Sequence, residues 1–200
     1  MGPRKSVVPK ANLTASLVNQ WRAHFGTTLP IGHVLRQAHS DRWLRIHSLA
    51  EGKRYPDSAE ELAEILRRHN AVASEILGLE SGCLLLAAAY REQDAGEVED
   101  LNGISMSLIP DLGGEIPGDD PGCPVAIYGA EITWQRGRFD TLISDIANER
   151  RTSVMFMSLQ TGRVYSPYDG GADLILLGAD ETESYRKRWH SWLSTHPAGL

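Results

Sequence analysis

The stretch Tyr165-Ser166-Pro167-Tyr168-Asp169-Gly170-Gly171-Ala172-Asp173-Leu174-Ile175-Leu176 restricts the fold more than any other part of the chain. A strand-like run meets Asp-Gly-Gly and leaves as a second apolar run. Asp-Gly between such runs signals a two-residue hairpin, because both central positions favour positive φ. Gly170, Gly171 or both are therefore expected at φ > 0. Just upstream, 153–160 and 163–168 flank Thr161-Gly162, a second short turn, so 153–177 predicts a three-stranded antiparallel meander. A terminal helix over about 180–195, carrying Tyr185, Trp189, Trp192 and Leu193 on one face, closes this unit.

The chain before the meander alternates helix and strand signals. Residues 1–11 predict a flexible arm, and 12–200 a single domain, which suits a chain of 200 residues. Asn12 is a predicted N-cap for a helix with Leu13, Leu17, Val18, Trp21 and Phe25 on one stripe and Gly26 beyond its end. Residues 43–49 alternate as a strand, with Trp43, Arg45, His47 and Leu49 opposing Leu44, Ile46 and Ser48. Ser58-x-x-Glu61 after Pro56 is a capping-box pattern. It opens a helix whose apolar stripe includes Ile65, His69, Val72 and Ile76 and which ends at Gly78. Residues 83–90 are continuously apolar, as in a central strand buried on both faces. A further strand over 125–134 and a short helix over 140–149 precede the meander. The pattern amounts to about four helices and six or seven strands. With hairpin-linked strands at the end, it predicts an α+β fold with a mainly antiparallel sheet.

Charge is unevenly spread. The net charge is −6, yet residues 92–122 hold nine acids and no Lys or Arg, so the rest of the chain is slightly positive. Within that segment, 110–122 has three Pro and four Gly and predicts an irregular exposed loop. Asp111, Glu115, Asp119 and Asp120 do not follow the spacing of a calcium loop, and Pro117 and Pro121 interrupt any such register. Their alternatives are a solvated loop or a docking surface for a basic protein partner.

The signatures of common enzymes are absent. There is no phosphate-binding G-x-x-x-x-G-K-[ST], no dinucleotide G-x-G-x-x-G after a strand, no H-E-x-x-H and no G-x-S-x-G elbow. No cofactor and no metal is expected. Arg67-Arg68, Arg150-Arg151 and Arg186-Lys187-Arg188 are scattered over different elements, which argues against nucleic acid as a partner. No apolar run approaches the roughly 18 residues that span a bilayer, and no apolar segment follows the basic start as in a secretory signal. Cys83 and Cys123 are far apart and are expected to be reduced thiols in a cytoplasmic protein.

Two stretches hold more polar chemistry than a scaffold needs. In the first, His47 could act as a general base, while Lys53 and Arg54, beside Tyr55, could hold an anion at the capped helix start. In the second, Asp169 and Asp173 could share a proton or a cation, although Asp169 is also a natural turn residue. His69, on an apolar stripe, is expected to be a hydrogen-bonded core histidine.

Arg45-x-His47-Ser48-Leu49 followed by Lys53-Arg54-Tyr55-Pro56 resembles a family of small bacterial proteins carrying a domain of unknown function. So do Trp134-x-x-Gly137-x-Phe139-Asp140, the Tyr165–Asp173 stretch and the terminal Trp192-Leu193-Ser194-x-His196-Pro197-Ala198-Gly199-Leu200. The resemblance runs from about Asp41 onward and leaves the acidic segment before Cys123 largely outside it. It implies a bacterial, cytoplasmic protein and carries no activity or catalytic residues. Two functional classes follow from the residues. One is a non-catalytic binding protein of the toxin-neutralising immunity or antitoxin type, using the acidic surface. The other is a small hydrolase or transferase with His47, Lys53, Arg54 and Asp173 converging in a cleft.

Overall fold

A computed structural model describes residues 10–90, 94–117, 124–151 and 153–194. The fold is α+β. In chain order it comprises α1 (Lys10–Phe25), α2 (Gly32–Ala38), β1 (Trp43–His47), α3 (Ala59–Leu77), β2 (Gly82–Ala89), α4 (Ala95–Glu99), β3 (Asp100–Leu101), β4 (Ile104–Ser105), β5 (Ser107–Leu108), β6 (Gly114–Glu115), β7 (Pro124–Thr133), α5 (Asp140–Ala147), β8 (Val154–Ser158), β9 (Val164–Tyr168), β10 (Gly171–Ile175) and α6 (Ala179–Arg188). The main sheet has the order β1-β10-β9-β8-β2-β7-β5, with β6 also on β7, and every pairing is antiparallel. β3 and β4 form a separate hairpin.

The sheet is covered on both faces because its inner strands are apolar on both. In β2, Cys83, Leu85, Ala87 and Ala89 face a core that includes Ile65, Val72 and Ile76 of α3 and Leu142 and Ile146 of α5. Leu84, Leu86 and Ala88 face the opposite core with Leu17, Val18 and Trp21 of α1 and Leu35 of α2. Continuous apolarity in β2 is what a strand needs when helices close both sides. The C-terminal face also matches the pattern of its sequence: Trp189 is buried, and Tyr185, Trp192 and Leu193 pack against the first core. The helix itself stops at Arg188, and residues 190–192 continue as a 3-10 turn.

The segment Trp134-x-x-Gly137-x-Phe139-Asp140 is a helix-start device. Trp134 stacks on Phe139 with ring centroids 5.2 Å apart. Asn70 of α3 donates to Asp140 Oδ1 (2.6 Å) and accepts from the Gly137 N–H (2.7 Å), tying α3 to the entry of α5. At the start of α3, Ser58 Oγ accepts from the Glu61 N–H as a cap should. Glu61, however, reaches back to the Asp57 N–H and Lys53 Nζ, so the reciprocal half of the capping box is shifted by one residue.

Several local expectations are corrected. Helix α1 begins at Lys10, so Asn12 lies inside its first turn instead of capping it; the remainder of the expected arm, 1–9, lies outside the described residues. Helix α2 had no strong sequence signal. The β8–β9 connection is longer than Thr161-Gly162, because Ser158 and Arg163 already close the pair (2.9 Å). The hairpin at Asp169-Gly170 is as tight as expected, with Tyr168 opposite Gly171. Neither glycine, though, occupies the left-handed region. Gly171 is required for another reason: a Cβ there would sit 1.9 Å from the Ile46 carbonyl oxygen of β1. The acidic segment is not an irregular loop throughout. Ile109, Leu112 and Ile116 are buried against the α1 face of the sheet, while Asp111 and Glu115 between them are exposed. Asp119, Asp120 and Cys123 lie outside the described residues. Cys83 is a buried free thiol whose pKa is pushed up to about 11 by desolvation.

His69 is the core histidine its stripe position predicts. It is 1% exposed and hydrogen-bonded with Ser48 Oγ through Nε2 and with Tyr165 Oη through Nδ1, each at 2.7 Å, so it joins α3 to β9 and to the residue after β1. Burial, with Arg68 adding, pushes its pKa down to about 4 from 6.5. The unfolded chain therefore binds a proton near pH 6.5 that the fold refuses until about pH 4. The neutral ring's contribution is complete above pH 6.5 and is lost as pH falls through that window, by about 3 kcal/mol in total. Urea unfolding of the wild type and of His69→Gln between pH 7 and 4 should show a shallower acid slope for the variant; equal slopes would remove His69 as the cause.

Candidate functional site

A cleft of about 1000 Å³ lies along β1, which is an edge strand. Its walls are Arg45, His47, Tyr168 and Gly170 on one side, residues 49–52 and Arg54 of the turn below, and residues 190–194 opposite. Alternation along β1 turns Leu44 and Ile46 inward and sets Trp43, Arg45 and His47 on the other face. The pairing Arg45↔Asp173 and His47↔Gly171 then brings the residues of the hairpin alongside them.

Asp173 is 7% exposed and wholly engaged. Its carboxylate accepts from Arg45 Nε (2.8 Å) and Nη2 (2.9 Å) and from Trp43 Nε1 (2.9 Å). The forked arrangement fixes the Arg45 plane, which lies 4.7 Å from the Tyr168 ring centroid and 5.4 Å from that of Trp43. Tyr168 is held protonated, its pKa pushed up to about 12 chiefly by burial. Asp169 forms an ion pair with Arg54, whose side chain is 60% exposed and borders the cleft. His47 has its pKa lowered by burial first, then by Arg45 and Arg68, so the ring is neutral at pH 7. Its Nε2 is buried and has no hydrogen-bond partner among the described residues. The turn below presses close: Glu51 (φ 56°) and Gly52 (φ 70°) are both left-handed, and a Cβ on Gly52 would meet His47 Nδ1 at 3.2 Å. Trp192 on the far wall is overlaid by Arg67 and Arg68, each 5.4 Å from its ring. Arg68 Nη1 also donates to the His47 carbonyl (3.1 Å), satisfying one outward group of the edge strand.

Of the residues singled out from sequence, the structure gathers His47 and Arg54 at the cleft, with Asp169 and Asp173 behind the arginines. Lys53 instead pairs with Asp57 and Glu61, and Tyr55 donates to Glu149 Oε1 (2.7 Å); neither lines the cleft. No hydrogen bond joins His47 to either carboxylate, so the described residues contain no His–Asp acid–base pair here. Arg45, Tyr168, His190 and Trp192 are cleft residues that sequence reasoning did not assign. Alternation put Arg45 on the face of His47, and the Asp-Gly turn put Tyr168 near Asp173. The signal lacking was the long-range pairing of β1 with β10.

Asp111 and Glu115 are at the opposite edge of the sheet, beyond β7. Neither carboxylate joins an ion pair among the described residues, although the Asp111 backbone carbonyl accepts from Arg22 Nη2 (3.0 Å). No group of three or more His, Cys, Asp or Glu among the described residues could hold a metal ion, and no helix among them is long and apolar enough to cross a membrane.

Comparison with known families matches residues 31–197 to a family described as Domain of unknown function (DUF3885). No curated protein and no solved structure matches the chain.

Proposed function

The chain belongs to the DUF3885 family, and we propose that it is a non-catalytic cytoplasmic binding protein that docks a basic protein, in the manner of a toxin-neutralising immunity or antitoxin protein. The observation that carries this reading is the mounting of the acidic segment. Ile109, Leu112 and Ile116 anchor it to the sheet, while Asp111 and Glu115 are exposed and join no ion pair among the described residues. A like-charged cluster repels itself, and a cationic partner would relieve that repulsion. Attraction of this kind raises association rates and is screened over a Debye length of about 8 Å at physiological ionic strength.

The hydrolase or transferase alternative has less support. It needs His47 within hydrogen-bond or one-water reach of a carboxylate, whereas Asp169 and Asp173 are each committed to an arginine. The test is to replace Asp111, Glu115, Asp119 and Asp120 together by Asn and Gln and measure association with the partner captured from native lysate. The on-rate should fall by about tenfold at low salt and converge with the wild type at high salt. An unchanged on-rate with unchanged salt dependence would sink the docking surface.

A further inference from the structure

We propose that the cleft along β1 is a binding site for a small oxyanion, the carboxylate or phosphate group of a ligand seated between Arg45, Arg54 and His47. The site is at the opposite sheet edge from the acidic segment and does not depend on what that segment docks.

Three observations carry it. First, the basic side chains Arg45, His47, Arg54 and His190 line the cleft, and Glu51 is the sole carboxylate among its lining residues. The carboxylates that balance the arginines stand behind them, with side chains 10% (Asp173) and 12% (Asp169) exposed. Second, Arg45 is pre-set for recognition. Asp173 takes Nε and Nη2, the Tyr168 ring supports the guanidinium plane, and Nη1 has no hydrogen-bond partner among the described residues. A guanidinium oriented before binding loses little entropy when its Nη1 donors meet an oxyanion. Arg54 is paired with Asp169 through Nη2. Third, His47 Nε2 is a buried polar atom with no hydrogen-bond partner among the described residues. Leaving such an atom unpaired costs about 1–3 kcal/mol, and a ligand oxygen accepting from it would remove the penalty.

The charged groups around His47 set the pH behaviour. Arg45 on its own strand and Arg68 on α3 disfavour the imidazolium. Arg54 and Glu51 approach from the turn and His190 from the far wall, while Asp169 and Asp173 are neutralised by their arginines. A bound oxyanion adds a negative charge beside this ring, so binding raises the His47 pKa and strengthens as pH falls through it.

The experiment titrates the full chain, labelled with 15N in its histidine rings, with inorganic phosphate and separately with benzoate, following His47 by NMR at several pH values. At least one probe should give a saturable shift of the His47 ring with a raised His47 pKa. Saturation by phosphate identifies a phosphoryl ligand, and saturation by benzoate a carboxylate. Arg54→Gln should weaken that binding by about tenfold, equivalent to about 1.4 kcal/mol. Lys53→Gln removes the neighbouring cation outside the cleft and should leave it unchanged. Circular dichroism checks that both variants are folded. No saturable shift with either probe, or equal weakening by Lys53→Gln, overturns the site. Neither result touches the acidic surface, whose test reads association with a protein partner.

Discussion

Gly171→Ala should destabilise the protein by about 3 kcal/mol, lowering the melting temperature by roughly 6–12 °C for a chain of this size. The added methyl carbon would lie 1.9 Å from the Ile46 carbonyl oxygen and 3.0 Å from Tyr168 Oη. The first contact is backbone on backbone, so it cannot be relieved by a rotamer change; β1 must move away from β10. Gly171 is opposite His47 in a pair that does not exchange hydrogen bonds, since Ser48 N donates to Gly170 O on one side. In such pairs the strands approach closely, with Cα atoms about 4.5 Å apart. Gly170→Ala is the control. Its Cβ would meet Tyr168 Cε2 at 3.1 Å and Arg54 Cγ at 3.3 Å, both side-chain atoms, and the cost should be below about 1.5 kcal/mol. Chemical denaturation of both variants decides the matter: a Gly171→Ala protein as stable as wild type would refute the close approach.

Asp173→Asn should also cost about 3 kcal/mol, because it leaves the Arg45 guanidinium without its counter-charge in a site where the two side chains are only 15% and 10% exposed. The loss belongs mostly to the stranded cation and not to the hydrogen bonds themselves. Arg45→Met combined with Asp173→Asn should therefore recover much of the stability, giving a coupling energy of about 1–3 kcal/mol in a double-mutant cycle. Additive single effects would show that Arg45 and Asp173 contribute separately. The same pair of variants separates scaffold from recognition, since Arg45→Met should abolish oxyanion binding even where the fold survives.

The sequence by itself determined the elements whose signals are local. Alternation in β1, the all-apolar run of β2, the Ser58 cap of α3 and the Asp169-Gly170 turn each follow from a few neighbouring residues. The buried His69 was legible for the same reason, as its place on the stripe of α3 is a matter of helical period. Elements without such a signal were missed: α2 has seven residues and no side-chain cap, and it is held by Leu35 in a core built from distant strands. The acidic segment looked like a loop because Gly and Pro dominate its composition, yet Ile109, Leu112 and Ile116 find apolar partners on α1 and β7 that no local pattern reveals.

The cleft depended on tertiary structure for its making. Arg45 and Asp173 are separated by 128 residues, and only the pairing of β1 with β10 decides that they meet. That pairing also explains why the glycine signal was right in place and wrong in cause: the turn is local, but the steric demand on Gly171 comes from another strand. It likewise divided the neighbouring cations, since Lys53 turns to the α3 N-terminus while Arg54 crosses to Asp169. Propensity and periodicity act over a few residues, whereas a binding site is assembled from chain segments that share only a register. Turns and faces are therefore readable in this sequence, and the partners of its charges are set by the sheet.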